Sequence, residues 1–306
     1  MGGRTTMWPK TIHWQDIRFG VEIEFVGGAP EQVELLPGWI MSLDERQIDE
    51  QGNESGSELK PPPMLWSERG QIDEMLRRLL RQGAAANWSC GLHVHVDLRQ
   101  WGEPIVTPLL ETALSVQAAL RTLLGTSEHR EIFCPPVTGD MLERYRDEPS
   151  EKALRYRNGR PQSHRCGINA AASYDIGTVE IRYANGSLDY DEIIRTVELC
   201  LRFVSAVGAG RRLSADPKLL ANELEAPVDG YPPEVPPPQW YKERIWLENA
   251  LVPVMTTIVR QMVRDGEILH ILPVPEGIAV SVENPDGPLC SYKFRPTGTG
   301  WELISD

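Results

Sequence analysis

Gly91-Leu92-His93-Val94-His95-Val96-Asp97 alternates strictly between apolar and polar side chains. In an extended chain, successive side chains point to opposite faces, so His93 and His95 share one face while Leu92, Val94 and Val96 share the other. Two further stretches are built the same way. Gly20-Val21-Glu22-Ile23-Glu24-Phe25 pairs two carboxylates, and Gly177-Thr178-Val179-Glu180-Ile181-Arg182-Tyr183 pairs an acid with a base. A sheet made from these strands has one oily face for a core and one face carrying Glu, His and Arg. Such a polar face is poorly suited to stability alone and well suited to holding metal ions and phosphate.

Outward from these strands, the remaining elements follow from pattern. The first strand is expected over about 17–26, with a second extended stretch at 38–43 and a polar, Gly-rich segment at 44–57. Ser67 is expected to cap a helix running to about Gln82, with Ile72, Met75, Leu76, Leu79 and Leu80 on its apolar side. A Leu- and Ala-rich helix is expected over 107–124. The stretches 166–173 and 178–184 read as strands joined in a hairpin at 174–177, and Asp189 as the cap of a helix reaching Val207. Ala226 to Pro238 contains six prolines and reads as a stiff linker or surface arm. Beyond it, a helix over 241–264 and short strands at 277–282 and 291–294 are expected. Single helices and hairpins between strands predict an α+β fold with a largely antiparallel sheet and helices on its apolar face. Parallel winding is disfavoured because the key strands alternate and are not continuously apolar. The expected organisation is a catalytic domain at 15–210, a Pro-rich arm at 211–240 and a C-terminal region at 241–306 packed on the catalytic domain.

Composition narrows the class. A chain of 306 residues with 41% hydrophobic and 25% charged residues has the make-up of a globular protein with a sizeable core. The net charge of −13 argues against a general nucleic-acid binder, since phosphate contacts need a cationic surface. No apolar run reaches the roughly 20 residues of a membrane helix. Residues 1–14 contain Arg4 and Lys10 but no apolar core of a secretory signal. The five cysteines are scattered without a Cys-x-x-Cys pair, so reduced thiols and a cytoplasmic location are expected.

Carboxylates and imidazoles spaced two apart on neighbouring strands can coordinate divalent cations, and glutamate oxygens favour Mg²⁺ or Mn²⁺. Arg182, on the same face as Glu180, can clamp a phosphoryl oxygen with its planar fork. The segment 144–165 carries six Arg and one Lys against three acids. It reads either as a flap over phosphate or an anionic substrate, with Arg155, Arg157, Arg160 and Arg165 as candidates, or as a solvated basic loop. Arg130 is a further candidate. Tyr156 and Tyr174 could stack an adenine or pack locally.

The three strands in this order, together with Ser89-Cys90-Gly91, Asn169 and Gly186-Ser187-Leu188-Asp189, resemble the amidoligases. That family belongs to the carboxylate–amine ligases, with glutamine synthetase and glutamate–cysteine ligase. The resemblance covers about 18–201. It implies a glutamine synthetase-like catalytic fold with ATP and Mg²⁺ or Mn²⁺ as cofactors and with carboxylate and amine substrates. Glu22, Glu24, Glu58, His93 and Glu180 would ligate metal, and His95 would contact nucleotide or substrate. Arg182 would stabilise the transferring phosphate and bind nucleotide; the basic side chains outside these motifs add Arg157 as a candidate nucleotide contact and Arg130 and Arg165 as candidate catalytic residues. Lys60 departs from the small polar residue expected before Pro61-Pro62-Pro63. Two other readings remain open on the sequence, a metal-dependent amide or ester hydrolase and a non-catalytic binding protein that keeps the fold.

Overall fold

A computed structural model describes residues 8–49, 52–155, 166–264, 266–284 and 289–304. The described residues up to Pro236 form one compact unit and those from Pro237 onward a second.

The first unit is built on an antiparallel sheet. Its strands are β1 (Phe19–Gly27), β2 (Ile40–Ile48), β3 (Glu54–Lys60), β4 (Ala84–Ala85), β5 (Gly91–Asp97), β6 (Ile168–Asn169) and β7 (Thr178–Asn185). They lie in the order β2-β3-β1-β5-β7-β6, with β4 paired to β1. The expected α+β class and antiparallel sheet are therefore observed. Phe19, Val21, Ile23 and Phe25 of β1 are no more than 1% exposed. Burying each such side chain contributes about 1.5–3 kcal/mol, which fixes the strand's orientation. The apolar face is covered by α1 (Gly70–Arg81), α2 (Val106–Leu123) and α5 (Tyr190–Gly208). Helix α5 runs against β1 and β5, and α2 against β7. Two shorter helices, α3 (Gly139–Asp147) and α4 (Ala172–Asp175), lie between α2 and β7 in the chain, and α6 (Pro217–Leu224) follows α5. Among the described residues no helix is long and apolar enough to cross a membrane.

Several local expectations are corrected. Within the polar segment 44–57, β2 runs to Ile48 and β3 begins at Glu54, because a strand is held by backbone pairing with its neighbours and needs little apolar alternation where one face is open. The pairing of β2 with β3 is irregular, with register shifts between Ser42 and Glu45 and between Glu45 and Ile48. Ser67 does not cap α1. The chain passes through a 3₁₀ turn at Trp66–Glu68, where the Glu68 carboxylate accepts from the Leu65 N–H at 2.7 Å. Leu80 is 51% exposed, off the stripe of Ile72, Met75, Leu76 and Leu79, which are buried at i, i+3, i+4 and i+7 spacing. The hairpin at 174–177 is replaced by α4. Asn169 Oδ1 accepts from the Ala171 N–H at 3.1 Å, which turns the chain off the sheet after two strand residues. Asp189 caps α5 as expected, accepting from the Glu192 N–H at 3.1 Å. Helix α6 has no counterpart in the sequence reading, although Asp216 followed by Pro217 is an N-terminal signature.

The Pro-rich stretch is held by specific bonds. Asn185 Nδ2, at the end of β7, donates to Pro232 O at 3.1 Å, and the Tyr231 hydroxyl donates to Pro227 O at 2.6 Å. Four of the five cysteines are buried, Cys290 is half-buried, and all five are free thiols.

The second unit consists of α7 (Gln239–Met262) and a sheet of β8 (Glu267–Val274), β9 (Gly277–Glu283), β10 (Leu289–Thr297) and β11 (Gly300–Ile304). Val252, Met255 and Val259 of α7 pack with Ile271, Val280 and Phe294. Beside this core Glu248 is only 2% exposed. It accepts from Arg244 Nε at 3.2 Å and from the Ile271 N–H at 3.3 Å. Burial opposes its ionisation, but His270 and Arg244 outweigh burial and hold its carboxyl below the ordinary 4.5. That contribution is fully present above the ordinary carboxyl range and is lost as pH falls through the lower folded-state value. Glu248→Ala is expected to cost about 2 kcal/mol, because buried donors lose a charged acceptor. Urea unfolding at neutral pH checks it, and an unchanged midpoint would refute it.

Candidate active site

The polar face of the first sheet is assembled by register. Glu22 on β1 lies opposite His93 on β5, Glu24 opposite Glu58 on β3, and His95 opposite Glu180 on β7. Asn169 on β6 then lies opposite Glu180. Each pair comes from the alternation within its own strands, and cross-strand partners stand about 4.5–5.5 Å apart at Cβ. Seven of the predicted residues, Glu22, Glu24, Glu58, His93, His95, Glu180 and Arg182, therefore converge. Glu58 does so from a strand.

His93 sits at the centre. Its Nδ1 is 3.1 Å from Glu22 Oε2 and 3.2 Å from Arg182 Nη1, and its Nε2 is 3.6 Å from Glu24 Oε1. His95 Nε2 is 3.3 Å from Glu22 Oε1 and 3.8 Å from Glu180 Oε1. That nitrogen is buried and makes no hydrogen bond. The opposite nitrogen, His95 Nδ1, meets Thr178 Oγ1 at 3.0 Å, which orients the ring. Glu180 pairs closely with Arg182 and accepts from Asn169 Nδ2 at 2.8 Å. Glu24 accepts from the Gly91 N–H at 2.5 Å.

Among the described residues two ligand sets result, each with donor atoms within 4.8 Å of one another: Glu22, Glu58 and His93, and Glu22, His95 and Glu180. Glu22 belongs to both. Glu24 belongs to neither, and His95, which the resemblance gave to nucleotide or substrate, stands beside two carboxylates.

Crowding of like charge perturbs the acids in opposite directions. Burial pushes Glu58 up to about 9, and Glu22 and Glu24 add to the rise against the opposing Lys60. Burial also opposes ionisation of Glu22, yet its contacts with His93 and His95 hold it well below the usual carboxylate range. Glu180 is lowered to about 2, since Arg182 and the two histidines overcome its burial. His95 is raised, because Glu22 and Glu180 outweigh the burial that disfavours its charge.

Arg130 reaches the site by a route the sequence does not show. It is 2% exposed, and its Nη1 donates to Cys90 O at 2.6 Å. A Cβ on Gly91 would lie 2.2 Å from Arg130 Nη2 and 2.9 Å from His93 Nε2, so the missing side chain leaves room for the guanidinium. Gly167 is required for a similar reason, since a Cβ there would lie 1.8 Å from the Tyr183 ring. The remaining candidates divide. Arg157, Arg160, Arg165 and Tyr156 lie outside the described residues. Arg155 is paired with Glu151 at 2.9 Å and is half exposed. The Tyr174 hydroxyl meets that of Tyr145 at 3.2 Å, a local contact.

Sequence reasoning gave no role in the cluster to Asn169, Thr178 or Lys60. Thr178 and Lys60 were within reach, because each lies two residues from a site acid on the same strand.

An antiparallel sheet presents carboxylates, imidazoles and guanidinium groups on one face, with helices behind it, as a candidate enzyme site on an α+β fold. The chain belongs to the family described as "putative amidoligase enzyme", whose model matches residues 33–204, more than half its length. This is a ligase-type family. The matched span contains Glu58, His93, His95, Glu180 and Arg182, and it begins after β1, which supplies Glu22 and Glu24. No curated protein matches the chain.

Proposed function

We propose that this protein is an ATP-dependent ligase that joins a carboxylate to an amine through an acyl phosphate. The observation that carries the reading is the pair of ligand sets sharing Glu22, with Arg182 against both His93 and Glu180. Each set offers two carboxylates and one imidazole and no thiolate, a donor chemistry suited to Mg²⁺ or Mn²⁺. The buried His95 Nε2 without a hydrogen-bond partner is the kind of orphan atom a cation satisfies. Glu22, Glu58, His93, His95 and Glu180 would hold such ions, which neutralise phosphate charge when bound.

The chain's own residues supply the rest. Arg182 is 7% exposed and anchored by Glu180, so its guanidinium is pre-oriented. Its Nε is buried without a hydrogen-bond partner. A fixed cation at that position favours the charge that develops as a substrate carboxylate oxygen attacks the γ-phosphorus and ADP departs. In the second step the amine nitrogen attacks the activated carbonyl carbon, inorganic phosphate leaves, and the nitrogen releases a proton. Thr178 and Asn169 hold His95 and Glu180 in place.

The test is ADP release from the purified chain with ATP, Mg²⁺ and pools of carboxylates and amines. ADP is expected only when both substrates are present. Amide hydrolysis without ATP would overturn the proposal in favour of a hydrolase.

A further inference from the structure

Lys60 stands where the family resemblance calls for a small polar residue, and the fold places it inside the acid cluster. It lies two residues beyond Glu58 on β3 and therefore on the same face. Its Nζ is 2.5 Å from Glu58 Oε2 and 3.8 Å from Glu22 Oε1. Those two carboxylates, with His93, are the first ligand set. We propose that Lys60 is a tethered cation filling the Glu22–Glu58–His93 position, so that this chain binds a single divalent cation, at Glu22–His95–Glu180. The inference rests on the cation-binding reading above.

The two sets differ in how far the protein already satisfies them. In the first, His93 Nδ1 faces Glu22 Oε2 at 3.1 Å and Arg182 Nη1 at 3.2 Å, and Glu58 meets the ammonium. In the second, His95 Nε2 is buried with no hydrogen-bond partner. An incoming ion at the first set must displace an ammonium held there by its own strand. An intramolecular competitor acts at an effective concentration on the order of millimolar, comparable to or above that of a free cation. If it stays, ammonium and divalent ion repel across a few ångströms of partly buried space. At the second set Glu180 is held by Arg182 and Glu22 Oε1 stands 3.8 Å from the ammonium, but His95 Nε2 carries no hydrogen bond that an ion must displace. Lysine suits the role because its ammonium is a compact point charge on a flexible stem.

The experiment is a Mn²⁺ titration of the full chain followed by the electron paramagnetic resonance signal of the free ion. The wild type, Lys60→Met, Lys60→Gln and Lys60→Arg are compared, with circular dichroism to verify folding. One Mn²⁺ per chain is expected for the wild type and Lys60→Arg. Two are expected for Lys60→Met and Lys60→Gln, the second bound at least about tenfold more tightly than any second ion on the wild type, by loss of charge repulsion. Two ions on the wild type, or one ion on folded Lys60→Met and Lys60→Gln, would overturn the role of Lys60 and leave the cation reading standing. No Mn²⁺ bound by any of the four would overturn both.

Discussion

Glu22→Gln is expected to reduce ligase turnover by about 10³-fold while leaving the chain folded. Glu22 is the one carboxylate in both ligand sets, so a single substitution weakens the proposed cation position and the seat of the Lys60 ammonium together. Removing one preorganised charged group from a site costs on the order of 10²–10³ in rate, and the shared position places Glu22 at the upper end. Glutamine matches its shape, and the side chain is 23% exposed, so no buried cavity or stranded core charge results. The hydrogen bond to His93 Nδ1 can persist with an amide in place of the acid. Mn²⁺ affinity should fall at least about tenfold, a typical lower limit for disturbing a ligand shell. ADP release, a Mn²⁺ titration and a thermal melt on the same preparation check these points. Near-normal turnover in a folded variant would remove Glu22 from the machinery.

Arg182→Ala should damage both reaction and fold. Burial extends the effect beyond catalysis, since Arg182 is 7% and Glu180 5% exposed. Glu180 and Glu24 favour the charged form of Arg182 strongly enough to overcome its burial and raise its pKa. Removing one partner of a buried pair strands the other, at a cost of about 3–5 kcal/mol. Glu180 would then lose the main influence holding it near 2. Denaturant unfolding should show that loss, and ADP release should fall about 10²–10³-fold on fully folded protein at low temperature. Lysine at the same position restores charge without the planar fork, so Arg182→Lys should recover more stability than activity. Equal recovery of both would reduce Arg182 to a structural residue, and wild-type stability in Arg182→Ala would contradict the buried pairing.

Much of this site was legible because its signal is local. Alternation within β1, β5 and β7 named Glu22, Glu24, His93, His95, Glu180 and Arg182 without reference to any other part of the chain. The same period, extended by one step, places Thr178 beside Glu180 and Lys60 beside Glu58 on the same strand faces. Other parts carry no such signal. Arg130 lies on a 3₁₀ turn, and its entry depends on Gly91 having no side chain, a fact about space and not about pattern. The segment 44–57 looks like loop because the edge strand β2 and its neighbour β3 are stabilised there by backbone bonds that any composition can make. The strand after Cys166 is cut short by one Asx turn at Asn169, a side-chain to backbone bond that competes with the ladder.

The sequence by itself determined the α+β class, the apolar face of each strand and most of the polar residues that face away from the core, because these follow from a period of two in consecutive residues. Only the tertiary structure decided which of those residues meet. Strand register joins positions as far apart as Glu22 and His93, or His95 and Glu180, and it is set by packing and backbone pairing across the sheet. That register made Glu22 common to two ligand sets, left Glu24 on the Gly91 N–H and brought the ammonium of Lys60 to the carboxylates of Glu58 and Glu22.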